Sequence, residues 1–271
     1  MYRDLSTLIQ RAELDIVNFG YETRFDMSSI GRKFPYYVMS YLKEGTALLR
    51  IGGCDIVTPV GSVILVRSGE VHDHIKTTQD KSVFLWWHFN FMISKHVDIL
   101  RFFDLPTMVQ VKNTANFEKL FLDYFAAITG PQSIPGLIHK KARALDVLAC
   151  LLENFISCEK SAASTSIPQH FFGMLEDITG RPDARMSLKQ LARKYRLNPT
   201  YISNKFQEYF GLPPITLHRK VLIEAAKERL LASSVNIGSI AAEFGFRDAS
   251  AFTRFFTKTT GVSPSNFRNS Q

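Results

Sequence analysis

The hydrophobic pattern changes period along the chain. Between residues 31 and 91 the apolar positions come in short β-branched and aromatic runs, each closed by glycine or proline. Residues 36–42 end at Glu44-Gly45, residues 47–51 at Gly52-Gly53, residues 55–57 at Pro59-Val60-Gly61 and residues 62–66 at Ser68-Gly69; residues 81–91 form the longest run. Gly52-Gly53 is a hairpin signal. Short strands punctuated this way predict a small antiparallel barrel or jelly roll. Ahead of them, Leu5, Leu8 and Ile9 predict a short helix, and Leu14 and Val17 a strand. After residue 113 the spacing turns helical: Phe117, Leu120, Phe121, Tyr124, Phe125 and Ile128 share one face. Gly130-Pro131 and Pro135-Gly136 are expected to break the chain. A second long helix follows through Leu137, Ile138, Ala142, Leu145, Val147, Leu148, Leu151, Leu152 and Phe155. Its apolar surface exceeds one stripe, which predicts packing on the barrel and on a second chain, the alternative being that all of it is intramolecular core. Residues 161–168 are small and polar, the composition of a linker. Residues 171–178 begin the next helix.

From Ser187 to Arg268 one pattern is written twice. Leu191-Ala192, Leu197, Ile202, Phe206, Gly211, Pro214 and Leu217 return as Ile240-Ala241, Phe246, Phe252, Phe256, Gly261, Pro264 and Phe267. The offset is 49 residues up to Phe246 and 50 from Phe252, so the second copy carries one more residue in its turn. Each copy reads as helix, turn, helix. Ser187 with Gln190 is a capping-box pattern, and Asn198-Pro199 restarts a helix with Asn at the cap and Pro in the first position. Gly211 and Gly261 suit left-handed helix ends, and Gly245 suits the second turn. The result is a doubled helix-turn-helix. Residues 215–231, between the copies, read as one helix of roughly 30 Å, with Leu217, Val221, Leu222, Ala225 and Leu230 buried.

These residues carry a resemblance. The run Ile240-Ala241-x3-Gly245-Phe246-x3-Ser250-x-Phe252-Thr253-Arg254-x-Phe256-x-Lys258-x2-Gly261-Val262-Ser263-Pro264-x2-Phe267-Arg268 resembles the signature of the AraC/XylS family of bacterial transcriptional regulators. It departs from that signature at Ala251 and Thr257, and the first copy departs at Asn204. The resemblance is strong over residues 169–268 and looser before them. It implies a cytoplasmic bacterial regulator, and not an enzyme, whose front barrel binds a sugar or similar metabolite. It further implies an N-terminal arm that covers the ligand or touches the DNA-binding domain, dimerisation through the helices after residue 113, and RNA polymerase as a partner.

Charge agrees with a nucleic-acid role. Residues 169–271 hold 15 Lys/Arg against 8 Asp/Glu, whereas residues 1–168 hold 18 against 17, so nearly all of the +8 net charge lies with the repeat. On the repeat's second helices, the positions opposite the apolar stripe are Thr200, Ser203, Asn204 and Gln207, then Ala249, Ser250, Thr253 and Arg254. These are expected to face bases. Arg254 suits guanine and Asn204 suits adenine. Lys205, Arg247 and Lys258 suit phosphates. Cys54, Cys150 and Cys158 follow no metal or disulfide spacing. The first residues lack an apolar signal core, and no run has the length of a membrane span.

In the barrel region, Gly61-x5-Arg67-x-Gly69-x2-His72 resembles the second motif of cupin barrels, with Arg67 where metal-binding cupins often carry Pro. His72-x-His74 with His88 raises a metal-site alternative, an enzyme with a helical tail. The strand expected to supply the other ligands, residues 36–42, has no His or Cys, and its nearest carboxylate is Glu44. No metal, cofactor or catalytic residue is therefore expected. A pocket lined by Tyr36, Tyr37, His72, His74, Trp86, Trp87 and His88 is the alternative role for these side chains. Trp86 and His88 share one strand face and Trp87 the other, and the pattern does not say which face is inside. A third reading leaves the barrel as a dimer scaffold that senses nothing.

The expected architecture is a two-domain α+β chain. Residues 1–112 form an arm and a cupin-like antiparallel β-barrel, 113–160 a helical dimerisation segment, 161–168 a linker, and 169–271 an all-α double helix-turn-helix domain.

Overall fold

The computed structural model describes residues 2–26, 28–76, 78–131, 133–156, 167–180, 182–183, 185–232 and 234–270. They fall into two compact units. One, the sheet unit, comprises the described parts of 13–91 and 103–165; the other, the helical unit, those of 1–12, 92–102 and 166–271. The expected linker lies almost wholly outside the described residues, as does Cys158. The chain is α+β, with a β-rich front and a helical C-terminal region.

The strands are β1 (Ala12–Arg24), β2 (Ser28–Arg32), β3 (Tyr37–Glu44), β4 (Ala47–Ile51), β5 (Cys54–Thr58), β6 (Ser62–Val66), β7 (His72–Ile75), β8 (Ser82–Ile93), β9 (Val97–Asp98) and β10 (Met108–Gln110). They form two sheets and not one closed ring. One runs β1-β8-β3-β6-β10, with β9 on β8, and the other β2-β7-β4-β5. Gly52 and Gly53, with φ of 57° and 78°, make the tight β4–β5 turn that the dipeptide predicted. Val38, Ile64 and Val66 of the first sheet meet Leu49 and Ile51 of the second in a shared core. β3 and β6 are buried at nearly every position, which is why they read as continuous apolar runs and not as alternations.

Two helices complete this unit, α2 (Thr114–Thr129) and α3 (Ile134–Ile156). Asn113 caps α2, its side chain accepting from the Asn116 N–H at 3.0 Å. Glu118 of α2 accepts from the Tyr41 hydroxyl at 2.7 Å and the Lys43 ammonium at 2.5 Å, fastening the helix to β3. Pro135-Gly136 does not break the chain as expected; both residues lie in the first turn of α3. That turn has no intrahelical partner for its N–H groups, so Pro costs nothing there. α3 has the two stripes its sequence predicted. Ala144, Val147, Leu148, Leu151 and Phe155 are buried, whereas Ile138, Leu145, Ala142 and Ala149 are exposed.

The helical unit contains α1 (Tyr2–Gln10), which packs on α4 (Gln169–Gly180), then α5 (Leu188–Tyr195), α6 (Pro199–Phe210), α7 (Pro214–Leu231), α8 (Ile237–Glu243), α9 (Ala249–Thr260) and α10 (Pro264–Asn269). A turn at Ile99–Phe102 belongs to the same unit, and Phe102 meets Phe172 and Phe210 edge-on, both at 5.5 Å. No helix among the described residues is long and apolar enough to cross a membrane.

Candidate nucleic-acid interface and effector site

The doubled motif forms as its capping residues dictate. Ser187 accepts from the Gln190 N–H, and Asn198 accepts from the N–H groups of Thr200 and Tyr201 at 2.8 and 3.3 Å. Asp248 does the same for α9, through the Ala251 N–H at 2.7 Å. Gly211 and Gly261 end α6 and α9 at φ of 85° and 82°, each N–H returning to the carbonyl four residues back. The two turns differ. The second uses Gly245 at φ 73°, and its counterpart 49 residues earlier is Arg196, held at φ 55°. A branched-free but bulky residue in that region costs about 1 kcal/mol, and nothing in the sequence pattern announced it.

α7 is shared between the copies. Leu222, Ile223, Ala226 and Leu230 join Ile240, Ala241, Phe244, Phe252 and Phe256 in one core, and Leu217 and Val221 are buried towards its other end. Ala225, expected inside, is only partly buried; Ala226 takes that place. Arg268 ties α10 to the end of α7 by donating to the Leu230 and Val235 carbonyls at 3.2 and 2.7 Å. The helix has 18 residues, about 27 Å, slightly below the length expected.

Burying Ile202, Phe206 and Phe210 turns Thr200, Ser203, Asn204 and Gln207 outward on α6. Burying Phe252 and Phe256 does the same for Ser250, Thr253 and Arg254 on α9, with Ala249 in the first turn. Thr257, the counterpart of Gln207 by the 50-residue offset, lies on the same face and is missing from the sequence-based set. Among the described residues Arg254 makes no ion pair; Arg247 instead donates to Asp248 at 2.8 Å. Lys205 is held by Glu208 at 2.8 Å. Lys258 is exposed in the last turn of α9.

The sheet unit resolves which face of β8 is inside. Trp87 and Phe89 lie fully buried on the α2 side, Trp87 meeting Tyr124 at 5.8 Å. Tyr37 stands beside Phe89 on that side, so Tyr37 and Trp87 are core. Trp86 and His88 face the other way, ring centroids 4.8 Å apart, and join a stack in which Tyr36 lies 5.1 Å from His88 and Phe34 5.0 Å from Tyr36. His72 and His74 enter from β7, 5.2 Å from each other, with His72 at 6.0 Å from Phe34. Phe34 was not expected here. Burial is the main cause that holds all three imidazoles below their usual basicity, His74 to about 3 and His88 to about 4. Among the described residues no three His, Cys, Asp or Glu side chains are grouped to hold a metal ion. Gly20 of β1 lies directly against the Trp86 indole, where a Cβ would overlap the ring. Gly20→Ala is therefore expected to displace Trp86, costing about 1–3 kcal/mol of stability and any response that depends on this ring. A melting temperature within a degree of the parent's would contradict that packing.

Comparison with known proteins places the chain among relatives. The helix-turn-helix domain family matches residues 191–270. The transcriptional regulator YobQ of Bacillus subtilis, itself uncharacterised, is 29% identical over 103 residues, 38% of this chain and 43% of YobQ, so the match spans under half of that relative. The arabinose operon regulatory protein of Salmonella typhimurium is 22% identical over 238 residues, covering 86% of this chain and 83% of that one. Among solved structures, the C-terminal domain of the response regulator AraT from Geobacillus stearothermophilus aligns over 39% of this chain and 88% of its own, at 25% identity and a TM-score of 0.37. The matched relatives are transcriptional regulators, not enzymes. Residues 191–270 thus belong to the helix-turn-helix domain family, and over 86% of its length the chain is similar to arabinose operon regulatory proteins of the AraC type.

Proposed function

We propose that the chain is a dimeric, ligand-responsive regulator that reads DNA with α6 and α9. The observation that carries this reading is the pair of equivalent outward faces, Thr200, Ser203, Asn204 and Gln207 on one helix and Ser250, Thr253 and Arg254 on the other, flanking a shared α7. Successive major-groove faces lie about 34 Å apart, a span suited to two recognition helices joined by a helix of this length. Arg254 is the side chain suited to a bidentate guanine contact, Asn204 to adenine, and Thr200 and Ser203 to short or water-mediated contacts. Ala249 sits where a thymine methyl is within reach of an apolar group. Lys258 and Arg247 serve phosphates, and Lys205 does so on release from Glu208.

The outer stripe of α3, exposed at its first four positions and half-buried at Leu152 and Ile156, supports dimerisation. Ile138, Ala142, Leu145, Ala149, Leu152 and Ile156 alternate at spacings of four and three, the period of a two-helix seam. The aromatic and imidazole cluster of the sheet unit supports an effector site for a sugar or related metabolite in a cupin-like fold, with the regulator acting in the cytoplasm on RNA polymerase.

The reading is tested at Arg254. Arg254→Ala is expected to cost about 1–3 kcal/mol on the preferred sequence and to flatten preference at one base position. Lys258→Ala is expected to weaken all sequences alike and reduce the salt slope by about one. Both are checked by binding titrations on a set of single-base operator variants. A uniform loss for Arg254→Ala assigns that residue to phosphate instead.

A further inference from the structure

The effector cluster has a polarity that the ring stack alone does not explain. Arg32 on β2 is the register partner of His72 on β7, so both side chains leave the same face of that sheet. His74, two residues on, shares the face. The Arg32 guanidinium lies 5.3 Å above the Phe34 ring and near enough to His72, His74 and His88 to depress the basicity of all three.

Among the described residues Arg32 makes no ion pair. Its acidic neighbours are turned elsewhere. Asp73 lies on the opposite face of β7 from the two histidines, is the register partner of Arg50, and accepts from the Gly31 N–H at 2.7 Å. Glu70 accepts from the Arg67 N–H at 3.4 Å. A partly buried cation whose partner is a ring face and not a carboxylate favours an incoming anion.

The imidazoles ask for something different. His72 and His74 are 2% and 8% exposed, and the Nε2 atom of each is buried with no hydrogen-bond partner. His72 Nδ1 lies 3.1 Å from the Glu70 carbonyl. That carbonyl can only accept, so Nδ1 carries the proton and the neutral ring presents Nε2 as an acceptor. A hydroxyl satisfies it; a bare carboxylate does not. Phe34 and Tyr36, stacked at 5.0 Å with planes 10° apart, present apolar ring edges beside these polar groups.

We infer that the effector is a sugar acid: its carboxylate meets Arg32, its hydroxyls meet the orphaned imidazole nitrogens, and its C–H groups meet the edges of the Phe34 and Tyr36 rings. One guanidinium balances one carboxylate, which favours a uronate or aldonate over a doubly charged phosphate ester. This inference deepens the effector site proposed above and rests on it.

The experiment uses the full-length chain at fixed ionic strength, with melting shifts and calorimetric titration. The probes are D-galacturonate and D-glucuronate, their neutral parents D-galactose and D-glucose, and benzoate as a carboxylate without hydroxyls. At least one uronate is expected to bind about tenfold or more tightly than its parent hexose. Arg32→Gln is expected to erase that preference while leaving parent-hexose affinity within about twofold, and Arg32→Lys to retain it. If Arg32→Gln lowers the melting temperature, the Lys variant still separates charge from packing. Equal binding of hexose and uronate overturns the inference and leaves the effector site standing. Benzoate binding as tightly as the uronates overturns the sugar component. No binding by any probe overturns both the inference and the sugar-sensing role.

Discussion

Alanine at Phe256 is expected to cost the DNA-binding unit about 3–5 kcal/mol, enough to consume much of the stability of an ordinary domain. Phe256 is fully buried in α9, 5.8 Å from Phe252 and 5.5 Å from Phe267, in the core that holds α7, α8 and α9 together. Removing its ring leaves a cavity at the point where α9 is seated. The surrounding rings are themselves large and cannot close over it without moving α9. Phe256→Ala should therefore lower the melting temperature sharply and abolish DNA binding at 37 °C. Arg254→Ala, two residues away but exposed, should leave the melting curve unchanged. Calorimetry of both variants separates a structural loss from a readout loss. Retention of parent stability by Phe256→Ala would contradict the core described here.

Aspartate at Ile138 and Leu145 together is expected to give monomers. The two side chains are 64% and 43% exposed on the outer stripe of α3, and neither belongs to the buried face packed on α2. A carboxylate in water costs little, whereas two carboxylates opposed across a two-helix seam cost several kcal/mol. The sheet unit should keep its melting temperature. Affinity for a pair of half-sites should fall about 100-fold or more, because the second binding event is no longer intramolecular. Binding to a single half-site should not change. Sedimentation equilibrium checks the first expectation and titration on one-site and two-site DNA the second. A dimer that survives both substitutions would move the interface elsewhere.

The helical unit was legible in the sequence because its signals are local. Ser187 and Asn198 cap helices by hydrogen bonds to N–H groups two or three residues away, and Gly211, Gly245 and Gly261 adopt the positive φ that their positions predicted. Arg196 escaped notice because the same conformation is filled by a residue that gives no compositional signal. The sheet unit was legible as the apolar runs that form β3, β4, β5, β6 and β8, without their pairing. Whether Trp86 or Trp87 faces inward depends on which strands pair with β8 and where α2 lands, and those contacts lie 37 to 48 residues away in sequence. Arg32 was invisible for the same reason: its place in the effector cluster follows from pairing with His72 across 40 positions and a bulge. Gly20 carries no local signal of its role, because the Trp86 ring that packs on it comes from a distant strand. The two short strands β2 and β7, five and four residues of mostly polar type, lack the alternation that marks a strand by itself.

The central claim is that a small molecule held in the sheet unit changes sequence-selective DNA binding by α6 and α9. The most direct test is binding of the full-length chain to a library of DNA fragments, with and without a panel of sugars and sugar acids, over a range of salt. The account predicts a preferred sequence with two spaced half-sites, a salt slope that reports several phosphate contacts, and a shift in affinity with one compound of the panel. Binding that shows no sequence preference at any salt concentration would contradict it.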